Sequence, residues 1–148
     1  MIRERKLTTE ELQEIAEAGQ EAVALIPALA EQPDSQAFVG TIHAFIDQAR
    51  RTSYPADETE QMSIPLGACL GAVICHTANW EWTYVTLENG FQGYGVVPAD
   101  RGYVLFPMSW VHALLARPER ENNILKLVGL LRSGQLPSNK QKTYMQLG

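Results

Sequence analysis

The spacing of apolar residues in the first third of the chain predicts two amphipathic helices. The first begins after Thr8, because Thr8-Thr9-Glu10-Glu11 matches a capping box with Glu11 three residues after the cap. Its apolar stripe is Leu12, Ile15, Gly19, Ala22, Val23 and Ile26, and Pro27 is expected to end or kink it. The second helix is predicted over 36–51, after a turn at Pro33-Asp34-Ser35 in which Asp34 or Ser35 can cap it.

Residues 52–62 show no periodicity and are predicted to form a loop. A third helix is predicted over 65–77, with Pro65 in its first turn, where proline costs little. This helix carries small residues at Gly67, Ala68, Gly71 and Ala72. They allow another element to approach its backbone closely.

The apolar period then changes from that of a helix to that of a strand. Residues 80–87 alternate at period two and are rich in aromatic and β-branched side chains, which predicts a strand. Glu88-Asn89-Gly90 predicts a hairpin turn, because Asn-Gly tolerates positive φ values. Residues 91–97 are predicted to form the returning strand, and 103–106 a third strand. Together they predict a three-stranded antiparallel meander.

Two further helices are predicted near the end of the chain. The first, 110–116, is capped by Ser109, and the second, 119–131, is stopped by Gly134. The tail, 136–148, has little pattern, which leaves its order open. The prediction is therefore one α+β domain over 1–148: N-terminal helices, the meander with one face covered, then C-terminal helices.

Composition and cysteine usage favour a cytoplasmic globular protein. The chain has 148 residues, 45% of them apolar, which is enough for one domain with its own core. No run approaches the ~18 uninterrupted apolar residues of a membrane span, and the N-terminus does not resemble a secretion signal. Cys69 and Cys75 would lie ~9 Å apart along the third helix, too far for a disulfide. Reduced thiols indicate the cytoplasm.

The net charge of −5 is unevenly distributed. Residues 1–62 carry five basic and twelve acidic side chains, whereas 117–148 carry six basic and two acidic. Such a surface repels a nucleic-acid backbone and attracts a basic protein partner. Neither a membrane nor a nucleic acid is therefore expected as a partner, and the oligomeric state is left open.

The candidate partner-binding residues lie on two acidic features. The first is a row on the polar side of the first helix, called here the acidic ridge: Glu10, Glu14, Glu17 and Glu21. The second comprises the meander turns, with Glu88, Asp100 and Arg101. The competing interpretation is that these are solvated faces with no partner.

Catalytic chemistry has little support in the sequence. Adjacent residues on a helix point ~100° apart, so Cys75 and His76 do not form a nucleophile–base pair by themselves. Cys75 could still meet His43 or His112, which keeps a small cysteine- or histidine-dependent enzyme as an alternative. The cysteines and histidines lack zinc-site spacing, and the glycine-rich stretch 90–95 lies inside a hairpin rather than at a helix start. No catalytic residue, metal or cofactor is predicted.

Trp80, Trp82 and Tyr84 share one face of the predicted first strand. Three aromatic residues in a row form either the core face of a sheet packed on helices or a binding platform. The core interpretation is favoured.

Three short motifs stand out between residues 60 and 116: LGACLGAVI at 66–74, WEW at 80–82 and VLFP at 104–107. Together they resemble a family of small bacterial domains similar to immunity proteins that are found beside secreted toxins. In that family an acidic residue often follows the second Leu-Gly, where this chain has Ala72. The resemblance implies binding of a toxin and transfers no catalytic residues.

These observations lead to one functional expectation and two alternatives. The expected function is that of a non-catalytic cytoplasmic binding protein, a bacterial immunity protein that neutralises a basic toxin domain. The alternatives are the small enzyme described above and a structural or accessory subunit of a bacterial assembly. A large apolar patch that forms symmetric contacts would favour the subunit.

Overall fold

A computed structural model describes residues 1–32, 34–137 and 144–148. The described residues form five α-helices and a five-stranded mixed sheet, an α+β fold. Their order is β1 (Arg3–Arg5), α1 (Thr9–Leu25), a short 3-10 helix (Pro27–Glu31), α2 (Ser35–Arg50), α3 (Ala56–Ala78), β2 (Glu81–Thr86), β3 (Gln92–Val97), β4 (Tyr103–Leu105), α4 (Pro107–Ala116), α5 (Ile124–Ser133) and β5 (Met145–Leu147).

Local capping signals position the starts of α1 and α2. The predicted capping box is confirmed: the hydroxyl of Thr8 accepts from Glu11 N at 3.1 Å, and the Glu11 carboxylate accepts from Thr8 N at 2.9 Å. Helix α1 ends before Pro27, as predicted. Asp34 caps α2 by accepting from Ala37 N at 2.8 Å. Pro33, part of the predicted turn, lies outside the described residues.

The prediction of a loop over 52–62 is wrong from residue 56 onward, because α3 spans Ala56–Ala78 and contains Pro65 in its interior. Thr59 and Ser63 occupy buried positions on this early part of the helix, so its buried face is partly polar and the hydrophobic period is hidden. The Ser63 hydroxyl donates to Glu60 O at 2.8 Å, which satisfies a polar group that would otherwise be costly to bury.

The sheet has the strand order β1-β2-β3-β4-β5. The three predicted strands are present as β2, β3 and β4, and each pairs antiparallel with the next. The predicted three-stranded meander is nevertheless incomplete, because the sheet has five strands. β1 adds antiparallel to β2, with Glu4 opposite Val85, and β5 adds parallel to β4, with Val104 opposite Gln146. β1 has the sequence Arg-Glu-Arg, with no apolar alternation, so its pattern did not reveal a strand. Residues 138–143, in the middle of the predicted tail, lie outside the described residues.

Helices cover one face of the sheet, and α3 runs through the centre of the main core. Leu66, Leu70 and Ile74 of α3 are fully buried there. The small residues of α3 act as predicted: a Cβ on Gly67 would lie 2.6 Å from Met108 N, and one on Gly71 would collide with the Trp82 ring. The other face carries a smaller apolar cluster formed by Val85, Val97, Val104 and Phe106.

Several predicted boundaries shift in the structure. Helix α4 starts at Pro107, so Ser109 does not cap it, and α5 starts at Ile124 rather than at 119. Gly134 ends α5 in the left-handed region at φ 70°, as predicted. In the hairpin turn only Gly90 has positive φ, 90°, while the Asn89 side chain accepts from Phe91 N at 3.0 Å.

Helix α3 also has the length and composition of a membrane-spanning segment. It contains an 18-residue window with a mean hydropathy of 1.2, of which 56% is buried by the rest of the fold. A core helix of a folded domain meets the same criteria.

Candidate functional site

All four glutamates of the acidic ridge are exposed on α1. None is ion-paired with an Arg or Lys of the described residues, and Glu17 accepts only from the side chain of Gln13, at 3.2 Å. Within residues 1–32, 34–137 and 144–148, no positive side chain compensates the negative charge of the ridge. Glu11 differs from its neighbours, because it pairs with Arg5 at 2.8 Å.

The meander turns do not form one surface. Glu88 lies in the turn between β2 and β3, and Asp100 lies in the turn after β3. The two turns are therefore at opposite ends of a six-residue strand, about 20 Å long. Asp100 accepts from Gly102 N at 2.9 Å, while Glu88 is exposed.

Arg101, the third predicted residue of the turns, is engaged within the chain. Its guanidinium donates to Glu4 at 2.7 and 3.1 Å, and also to Glu81 and to Pro98 O. The hydrogen bond to Glu4 raises the pKa of Arg101 despite partial burial. Burial opposes ionisation of Glu4, but hydrogen bonds from Arg101 and Tyr144 outweigh it and lower the pKa of Glu4. The geometry assigns Arg101 a role in joining strands.

An apolar groove lies beside the acidic ridge. This groove, called here the hairpin groove, has a volume of about 470 Å³, and its walls include Glu14, Ile15, Ile64, Phe91, Tyr94 and Met108. Ile64 is 45% exposed and Phe91 is 39% exposed, so both walls present large apolar side chains to solvent. Glu14 belongs to both the ridge and the groove, which makes them one continuous surface.

Comparisons with protein-family models, curated proteins and solved structures find no match to this chain. The resemblance over residues 60–116 stays an interpretation of its three motifs.

Contacts of Phe91 and Tyr94 with neighbouring residues hold the walls of the hairpin groove in place. Phe91 packs edge-on against Phe106, with ring centroids 4.8 Å apart. The Tyr94 hydroxyl donates to Glu11 at 3.4 Å, which links β3 to α1. The pKa of Glu11 falls to about 2, because Arg5 and the backbone N–H of Thr8 donate to its carboxylate. These contacts set the separation of α1 and the hairpin, and so the width of the groove.

The aromatic side chains of Trp80 and of β2 are partly buried, and each packs against an apolar cluster of the fold. Trp82 is partly buried against both the main core and a smaller cluster around Leu7 and Ile15. Trp80 packs against the main core, and Tyr84 meets Tyr94 edge-on at 5.7 Å. Trp82 also lines a second apolar groove, of about 510 Å³, on the other side of α1.

The two cysteines are free thiols, as the helical spacing predicted. Burial raises the pKa of Cys69 to about 11, and its thiol donates to Gly19 O at 3.1 Å. Burial, with a smaller contribution from Glu81, raises the pKa of Cys75 to about 12. Both groups are therefore protonated thiols at neutral pH, which is the weakly nucleophilic form.

His43 and Cys75 line different clefts of the described part of the chain. His43 lies in a polar cleft with Asp47, whose carboxylate is 3.5 Å from its Nε2, and with Asn122, which donates to His43 O at 3.1 Å. Cys75 lines a different cleft beside Glu81. No hydrogen bond joins Cys75 to His43 or His112 among the described residues. Nor does any group of three or more His, Cys, Asp or Glu side chains there have metal-site geometry.

The hairpin groove was missed by the sequence analysis because its walls come from α1, α3, β3 and α4. Two local signals point to it: Phe91 directly after the hairpin turn, and Ile64 directly before Pro65. Each places a large apolar side chain where the chain meets solvent. Their proximity depends on the tertiary fold.

Proposed function

We propose that this chain is a non-catalytic protein-binding domain whose partner is basic. The observation that supports it is the position of Glu14, which belongs both to the acidic ridge, without an ion pair to any described Lys or Arg, and to the wall of an apolar groove. A surface with an apolar centre and a charged margin has the composition of protein interfaces. The unpaired charge would steer a basic partner and increase its association rate.

Within this class we propose a bacterial immunity protein that acts in the cytoplasm by binding a secreted toxin domain. The resemblance of residues 60–116 to such domains supports this choice. A basic partner fits this choice, because a toxin that attacks nucleic acid would carry a positively charged cleft. The raised pKa values of Cys69 and Cys75 lend no support to the cysteine-enzyme alternative.

The experiment uses the product of the gene immediately upstream of the one that encodes this chain. We expect that product to arrest bacterial growth, and co-expression of this chain to restore growth. With purified proteins, Glu17→Lys combined with Glu21→Lys should slow association about tenfold at low salt and leave the melting temperature unchanged. The effect should shrink at high salt because exposed charges are screened.

The matched control is Glu31→Lys combined with Glu119→Lys, which changes the net charge equally at exposed positions outside the ridge. This control should associate at a rate close to that of the unmodified chain. If the two double variants associate equally fast at every ionic strength, the ridge does not steer the partner. If the upstream product neither binds nor arrests growth, the immunity proposal is wrong.

A further inference from the structure

We propose that the hairpin groove receives an amphipathic basic segment of the partner. In this arrangement, apolar side chains of the segment enter the groove between Ile64 and Phe91, and its Lys or Arg side chains lie along the margins. The inference rests on the proposed function and adds the chemistry of the segment that is recognised. In this arrangement the groove makes the contact that holds the bound partner. The acidic ridge attracts the partner as it approaches.

The apolar walls provide the first argument. A volume of about 470 Å³ lies within the range of cavities that bury a ligand. Ile64 and Phe91 are 45% and 39% exposed, so they lose water when a partner side chain packs between them. Met108 contributes an unbranched, adaptable side chain to the groove. Such a site accepts apolar side chains at helical spacing, as helix-binding grooves do.

Charge at both margins provides the second argument. On α1, Glu14 lies in the wall, and Glu10 and Glu17 lie within one turn of it. On α3, the exposed Glu60 lies one turn before Ile64, on the same face. The described residues that line the groove include no Lys or Arg. A segment with apolar side chains and flanking positive charge therefore complements the groove along both margins.

A second copy of this chain is a weaker candidate for the same groove. Its basic helix, α5, carries Lys126 and Arg132, but Ile124, Leu127, Val128 and Leu131 are buried in its own core. Leu125, at 46% exposure, is the one large apolar side chain that α5 presents to solvent. A single apolar side chain is a poor match for a groove that exposes both Ile64 and Phe91 to solvent.

The test uses the full chain and three synthetic helical peptides of about 15 residues, which is four turns. The first carries Leu at helical spacing and Lys on its polar face. The second has Glu in place of each Lys, and the third has Ala in place of each Leu. Binding is measured by fluorescence anisotropy, and the site is mapped by ¹³C-methyl chemical shifts of Ile64 and Met108.

We expect the Leu/Lys peptide to bind and to shift the methyl signals of Ile64 and Met108. The Leu/Glu and Ala/Lys peptides should each bind at least about tenfold more weakly. Ile64→Ser and Phe91→Ser should each weaken binding of the Leu/Lys peptide by about tenfold. Leu125→Ser is the matched control, since Leu125 is equally exposed but lies on α5, and it should leave the affinity within about twofold.

Methyl shifts confined to other residues, equal binding of the Leu/Glu peptide, or an equal loss in Leu125→Ser would each overturn the inference. So would a dimer in sedimentation equilibrium that Phe91→Ser converts to monomer, because the groove would then hold a second copy. The two proposals fail separately. If the upstream product binds through the ridge but dissociates at the same rate from Ile64→Ser and Phe91→Ser, the proposed function stands and this inference fails.

Discussion

The guanidinium of Arg101 and the carboxylate of Glu4 are 97 positions apart and form a two-point ion pair, with distances of 2.7 and 3.1 Å. The Tyr144 hydroxyl donates to the same carboxylate at 2.7 Å. Glu4 therefore links β1 to the turn before β4 and to Tyr144, the residue before β5. Arg101 holds this position with a φ of 58°, a left-handed conformation that non-glycine residues rarely adopt.

Replacement of Glu4 should change how stability depends on pH. The pKa of Glu4 is lowered by folding, so its contribution is complete above the unfolded value of about 4.5 and is lost as pH falls through the folded value. We expect Glu4→Gln to lose about 1–2 kcal/mol of unfolding free energy at pH 7. The difference from the unmodified chain should narrow as the pH falls below 4.5. Denaturant titrations across that range measure it.

The control for this experiment is Glu119→Gln, at an exposed position that makes no contact with Glu4, Arg101 or Tyr144 in the hydrogen bonds above. It should leave the unfolding free energy within about 0.5 kcal/mol at every pH. A Glu4→Gln difference that stays constant down to pH 2 would show that the ion pair does not contribute.

Trp82 should contribute mainly to stability. It is partly buried against two apolar clusters, so Trp82→Ala should cost about 3 kcal/mol of unfolding free energy, at the low end of core aromatic truncations. Tyr54→Ala, at a 39% exposed aromatic before α3, should cost less than about 0.5 kcal/mol. An unchanged melting temperature in Trp82→Ala together with lost partner binding would instead indicate a binding platform.

Alanine substitutions at two glycines should change the free energy of unfolding in opposite directions. A Cβ at Gly67 would lie 2.6 Å from Met108 N, so Gly67→Ala must push α4 away from α3 and should destabilise by about 1–3 kcal/mol. Gly129 on α5 has nothing within 4 Å of the added carbon. Gly129→Ala should therefore stabilise by up to about 1 kcal/mol through helix propensity. Chemical denaturation of both variants decides the point, and stabilisation by Gly67→Ala would contradict the close contact.

The thiols of Cys69 and Cys75 should react slowly. Their pKa values are raised to about 11 and about 12, so the thiolate fraction at pH 7.5 is far smaller than in the unfolded chain. We expect thiol-reactive dye labelling to be more than about tenfold slower in the native protein than in guanidinium chloride. A double Cys→Ser variant that folds should keep its partner binding. Rapid native labelling of Cys75, or loss of binding with the fold intact, would contradict this prediction.

Sequence reasoning succeeded where the signal was local. The capping box at Thr8, the αL stop at Gly134 and the paired strands on either side of Gly90 each depend on residues within a few positions of one another. Such local interactions mark the position of an element in the sequence, although its stability comes mainly from packing. The close-approach function of Gly67 was also visible, because a small side chain in a helix carries the same meaning in many folds.

The start of α3 shows where local reasoning was insufficient. Buried Thr59 and Ser63 removed the apolar period, and Pro65 resembled a helix start. Tertiary packing overrides both signals, because the early turns of α3 bury one face in the fold and Ser63 satisfies its hydroxyl on Glu60 O. β1 and β5 were missed for a related reason: each is a three-residue edge strand that is formed by pairing with a distant partner.

The sequence by itself determined the α+β class, the three central strands, most of the helices and the placement of four glutamates on one face of α1. Only the tertiary structure decided that Arg101 is tied to Glu4, and that Ile64, Phe91 and Glu14 line one groove. The physical reason is the range of the interactions. Helix caps and turns are set by neighbours in the chain, whereas an ion pair between residues 97 positions apart and a groove lined by four separate elements exist only after the chain has folded.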